Sequence, residues 1–154
     1  MSERLKNNCC WSSSREQTFN ECRKKYWYTY YGAWEGWPLN YRDARTEVDP
    51  LASYLYRLKN MQPLIFFIGS AVHKIIEETI KDIQATHQLP SLNSCLKKGE
   101  SLIKKGLVES KEGAWKKHPK KYVNLLEDYY QKEKMSEDSI REKVLLSIRN
   151  WYNS

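Results

Sequence analysis

This sequence has no long apolar run. The longest, Leu64-Ile65-Phe66-Phe67-Ile68, is far short of the roughly 20 residues that a membrane-spanning helix needs. The start, MSERLKNNCC, is polar and lacks the apolar segment of a secretory signal. A cytosolic (cytoplasmic) protein with no membrane partner is therefore expected. Its four cysteines, Cys9, Cys10, Cys22 and Cys95, form no C-x-x-C pair. That excludes a zinc site closed by cysteine alone, and in the cytosol the thiols are expected to be reduced. Glycine-rich phosphate loops, nucleophilic triads and H-E-x-x-H are missing too. So are segments of sustained apolar/polar alternation, which would read as strands.

Aromatic side chains and positive charge are plentiful. Of the 154 residues, 40% are hydrophobic and 29% charged, the composition of a globular chain. Eleven Tyr and six Trp make up most of the 13% aromatic content, and the net charge is +7. Such rings suit half-wet places where a face packs and a polar tip stays solvated. The charge favours an acidic partner such as nucleic acid or an anionic membrane surface. Between Lys97 and Lys121 nine Lys stand against three Glu, which makes this block either a nucleic-acid patch or a solvated face. The segment Thr18–Trp37 holds eight aromatics in twenty residues, together with Arg23, Lys24 and Lys25.

The pattern along the chain is helical, with four to six helices expected. Residues 1–11 read as a flexible tail and residues 12–154 as a single helical domain. Ser13-x-x-Glu16 and Ser14-x-x-Gln17 are capping-box patterns that open a helix running to about Tyr31, with Gly32 as its stop. Phe19, Cys22, Tyr26 and Tyr30 would form its inner stripe. Gly32–Pro50 reads as a loop from its turn residues, including Trp37-Pro38 and Asn40. Leu51–Lys59 is a short helix with Leu51, Tyr54, Leu55 and Leu58 on one face. Leu64–Thr86 is the strongest helix, with a stripe of Ile65, Ile68, Val72, Ile75, Ile76, Thr79 and Ile83. Ser91–Lys111 is helical despite Gly99 and Gly106. Tyr122–Lys132 is a short helix or an ordered loop, and a last helix from Ser136 presents Ile140, Val144, Ile148 and Trp151.

Two constellations have chemical interest. In GSAVHKIIEE, His73 and Glu77 lie one turn apart on a helix edge, with Gly69 clearing space one turn before. The pair suits part of a divalent-metal site or, more commonly, an ordinary solvent-edge contact. Glu109-Ser110-Lys111 spells E-x-K, a nuclease fragment that works at the end of a buried strand. Here it stands in the polar ESKEG, so Glu109 and Lys111 read as surface residues. His87 and His118 read as structural or solvated.

The segment WSSSREQTFNECRKKYWYTYYG is similar to the opening helix of RecB-type members of the PD-(D/E)XK nuclease superfamily, through Ser12, Ser14, Phe19, Cys22, Lys24, Tyr26, Tyr28 and Tyr30. GSAVHKIIEE resembles the G-x-x-V-H-x-x-I-E helix of that family through Gly69, Val72, His73, Ile76 and Glu77. With EGAWKKHPKKYVNLLEDYY, the resemblance spans Trp11 to about Trp151. It implies a mainly α chain matching the helical lead-in of a DNA nuclease. It also implies His73 as a ligand of Mg²⁺ or Mn²⁺ in a completed enzyme, Glu77 as its helper, and Cys22 at the position of an iron–sulfur ligand. No downstream cysteine group accompanies Cys22, so a cluster in this chain alone is not expected, and a plain buried cysteine is the simpler reading. Arg23, Lys24, Lys25, Tyr28 and Tyr31 would contact DNA. The family's aspartate, E-x-K strands and Q-x-x-x-Y helix are not found. The chain is thus expected to have no catalytic residues of its own and to be inactive alone, either as a truncated product or as one piece of a split enzyme whose strands a second polypeptide supplies. The competing expectation is a non-catalytic helical module that binds nucleic acid or protein.

Overall fold

The computed structural model describes Asn7, Asn8 and residues 10–37, 48–132 and 135–154. Most of the expected tail, with Cys9, and the middle of the expected loop, with Pro38 and Asn40, lie outside the described residues. Among the described residues the protein is mainly α, with seven helices and no strand. Among the same residues no helix is long and apolar enough to cross a membrane. The chain forms two compact units, Met1–Asn60 with Lys116–Pro119 and Met61–Trp115 with Lys120–Ser154.

In the first unit, α1 spans Ser13–Glu21 and α2 spans Arg23–Trp27. The expected single helix is broken at Cys22, which is extended (φ −165°, ψ 114°) and whose thiol accepts the N–H of Lys25 at 3.4 Å. Ser12, rather than Ser13 or Ser14, caps α1 by accepting from Arg15 N–H at 3.3 Å. After α2 the helix widens into a π-turn over Tyr28–Gly32, closed by Ala33 N–H to Tyr28 O at 3.0 Å. The extra residue per turn brings both Tyr30 and Tyr31 onto buried Tyr26, with ring centroids 5.1 and 5.8 Å away. Phe19 meets the same ring edge-on at 5.4 Å, so three residues of the expected stripe do pack together without Cys22. Helix α3, Pro50–Lys59, starts on Asp49, which accepts the Leu51 N–H, with Pro50 in the first turn. It buries Ala52 and Tyr56, while Leu51 and Tyr54 of the expected inner face are 53% and 46% exposed. The backbone at Gly36 lies so close to α3 that a Cβ there would fall 1.9 Å from the Ala52 carbonyl oxygen.

The second unit holds the main core. Helices α4 (Leu64–Thr86), α5 (Leu92–Glu112) and α7 (Glu137–Tyr152) pack pairwise, and the single turn α6 (Leu126–Tyr129) lies between α5 and α7 in the chain. Ile75, Leu125, Ile140, Val144 and Ile148 are fully buried among Leu64, Phe67, Ile68, Cys95, Ile103 and Leu107. Each such aliphatic side chain contributes about 1.5–3 kcal/mol by leaving water. Ser91 and Ser136 cap α5 and α7, and Gly113 ends α5 in the left-handed region at φ 71°.

Candidate functional site

The buried face of α4 is Leu64, Phe67, Ile68, Ala71, Ile75 and Thr79. That differs from the expected stripe: Ile65 is 59% exposed, and Val72 and Ile76 are only partly covered. At about 100° per residue, the opposite face carries Phe66, Gly69, His73, Ile76, Glu77 and Ile80. This face is open. Phe66 is 65% and Ile80 44% exposed, and a Cβ on Gly69 would meet none of the described residues within 4 Å. His73, Ile76, Glu77, Ile80, Lys81 and Gln84 line a shallow depression along it.

His73 and Glu77 therefore share one helix face as expected, and both are exposed. Glu77 forms an ion pair with Lys81, one turn on. The hydrogen bond from Lys81, together with its charge, holds the Glu77 carboxyl below the usual carboxylate range. One imidazole and one carboxylate already bound to a lysine do not make a metal site by themselves. Among the described residues no group of three or more His, Cys, Asp and Glu is placed to hold a metal ion.

Cys22 is exposed at the break between α1 and α2, not buried in a stripe as its spacing suggested. The spacing 19, 22, 26, 30 runs on across the break, so periodicity alone could not reveal it. Of the basic and aromatic residues expected to contact DNA, Arg23, Lys24, Lys25 and Tyr28 are exposed. Tyr31 is half-buried against Tyr26. Lys25 is tied to Glu21 at 2.8 Å. Trp27, 50% exposed beside Tyr28, was missed by sequence reasoning. Its position four residues after Arg23 and three after Lys24 was the available signal.

The E-x-K tripeptide is part of a structural latch. Glu109 is partly buried rather than superficial, and its Oε2 accepts the Val123 N–H at 3.2 Å. The Ser110 hydroxyl donates to Asp128 Oδ2 at 2.6 Å and accepts from Leu125 N–H at 3.1 Å, while Trp115 Nε1–H donates to the Ser110 carbonyl. Lys111 is exposed and pairs with Glu137. From the same latch segment, Glu127 accepts the N–H of Leu64 with both carboxylate oxygens at 3.0 Å, capping α4 from 63 residues away. Acids also answer part of the lysine block: Lys98 pairs with Asp82 at 2.8 Å and Lys105 with Glu109 at 3.8 Å. His87 ends α4 in the left-handed region at φ 55°, and His118 is partly exposed.

The fold and these faces define a mainly helical protein with an open apolar helix face and a basic-aromatic one. The chain matches no protein-family model, and no curated protein or solved structure is significantly similar to it.

Proposed function

We propose that this chain is the N-terminal helical portion of a PD-(D/E)XK, RecB-like DNA nuclease, inactive until strands bearing the aspartate and E-x-K are supplied from elsewhere. The observation that carries this reading is the open face of α4. Gly69, His73, Ile76 and Glu77 of the family-like motif lie there beside Phe66 and Ile80. An interior helical glycine costs about 1 kcal/mol relative to alanine, and none of the described residues comes within 4 Å of a Cβ at Gly69 to explain it. A surface that accepts an incoming strand or metal-bearing loop would. Phosphodiester hydrolysis of this kind needs at least two carboxylates on Mg²⁺ or Mn²⁺. This chain would contribute His73, with Glu77 released from Lys81, and the partner the remaining ligands.

The purified chain is expected to leave single-stranded and duplex DNA intact in Mg²⁺ or Mn²⁺. Degradation that His73→Ala abolishes would show that the chain needs no partner strands. A second reading, a non-catalytic helical module binding nucleic acid or protein, is favoured by the Glu77–Lys81 ion pair, which occupies the second metal ligand. The two readings part once a strand-bearing partner is added. A nuclease then gains metal-dependent cleavage and a melting temperature that rises with Mn²⁺. A binding module gains neither.

A further inference from the structure

Helix α2 and the first residue of its π-turn place Arg23, Lys24, Trp27 and Tyr28 side by side on the exposed surface, with Lys24 and Tyr28 opposite buried Tyr26 and Arg23 at the edge nearer to it. The two rings are 50% and 44% exposed, and they meet edge-on with centroids 5.3 Å apart. Trp27 is held in place from behind: a Cβ on Gly32 would fall 2.7 Å from its Cζ3 and 2.9 Å from Leu55 Cδ1. The Arg23 guanidinium lies 5.4 Å from the centre of the Phe19 ring, which restrains it. Helix α2, RKKYW, contains no carboxylate, and the nearby Glu21 is engaged by Lys25.

From this arrangement we infer that the α2 face is a binding site for single-stranded nucleic acid, with Trp27 as the base-stacking platform, Tyr28 beside it, and Arg23 and Lys24 holding backbone phosphates. The inference rests on the reading of the chain as a DNA-handling protein and adds the strandedness of the substrate. A duplex hides its base faces and offers mainly phosphates to such a surface. An unpaired strand offers both, and every base has a face to stack. An exposed tryptophan beside arginine also suits a protein interface. Two adjacent cations on a helix that itself carries no carboxylate favour the polyanion.

The test is fluorescence anisotropy with the full chain, using a labelled oligothymidylate of about 20 nucleotides and a duplex of the same length. The single strand is expected to bind more tightly. Trp27→Ala should weaken it about tenfold and Trp27→Phe much less, with duplex binding little changed. Arg23→Gln with Lys24→Gln should flatten the salt dependence by about 0.7 in log–log slope per lost phosphate contact. Circular dichroism melts check that each variant is folded. Equal affinity for both oligonucleotides, or Trp27→Ala binding like the parent, overturns the stacking site and leaves the nuclease reading standing. Binding to neither overturns it in favour of a protein partner. The nuclease reading fails separately, through the cleavage and Mn²⁺ melts.

Discussion

Ser110 sits where three segments meet. Its hydroxyl bonds Asp128 and the N–H of Leu125, a residue with no solvent exposure, and its carbonyl accepts from Trp115. Ser110→Ala would leave a buried N–H without its acceptor, at a cost of about 1–3 kcal/mol. A urea midpoint lowered accordingly, with an unchanged m-value, is the expected result. An unchanged midpoint would mean the latch is dispensable. The glycines make an opposed pair. At Gly36 a methyl group would collide with the backbone of α3, 1.9 Å from the Ala52 carbonyl oxygen and 2.4 Å from its carbon. Gly36→Ala should therefore destabilise the first unit by about 2 kcal/mol or more. Gly69→Ala adds a methyl group into open space within a helix and should stabilise the isolated chain by about 0.5–1 kcal/mol. Thermal melts of both variants check the signs. A destabilised Gly69→Ala would show that the α4 face is covered.

Helix ends were more legible than helix faces. Ser91 and Ser136 mark helix starts through local chemistry that does not depend on the rest of the fold, whereas Asp49-Pro50, which reads as a turn, opens α3. On α7 the apolar residues Ile140, Val144 and Ile148 form one narrow stripe, and the structure buries all three completely. Helix α4 begins with five consecutive apolar residues, Leu64–Ile68, so periodicity there cannot decide which side turns inward. Packing against α5 and α7 chose Leu64, Phe67 and Ile68 and left Ile65 and Phe66 in water. The break at Cys22 was equally hidden, because a thiol accepting a backbone N–H has no strong sequence signature. For the candidate site, the sequence placed His73 and Glu77 on one face but could not show that the face is open. Its openness has a consequence that can be measured. Phe66→Asn with Ile80→Asn should leave the melt of the isolated chain within about 0.5 kcal/mol of the parent. The same pair should abolish docking of a strand-bearing partner, read by co-purification. A large loss of stability in the isolated chain would place these residues in its core.

At the scale of the whole molecule, the two units differ in what holds them together. The second has a continuous aliphatic core drawn from α4, α5, α7 and Leu125, sealed by the Glu109–Ser110–Glu127 hydrogen bonds. Among its described residues, the first buries Tyr26, Ala33, Gly36, Ala52, Tyr56 and Pro119 and otherwise relies on ring-edge contacts such as Phe19–Tyr26 and Trp37–Tyr56. Ring-edge pairs add only about 0.5–1.5 kcal/mol each beyond the area they bury, and a unit of this size is marginal on its own. The first unit should therefore open well before the second. Limited proteolysis under native conditions is expected to cut within Met1–Asn60 first and to leave a resistant fragment beginning near Met61. A chain of residues 61–154, made directly, should unfold in one cooperative transition, since every residue of the main core lies within it. If that fragment is molten, with helical far-ultraviolet dichroism but no sharp melt, then the first unit supplies packing that the second cannot replace. If the full chain resists protease evenly along its length, the two units open together and the first is no weaker than the second.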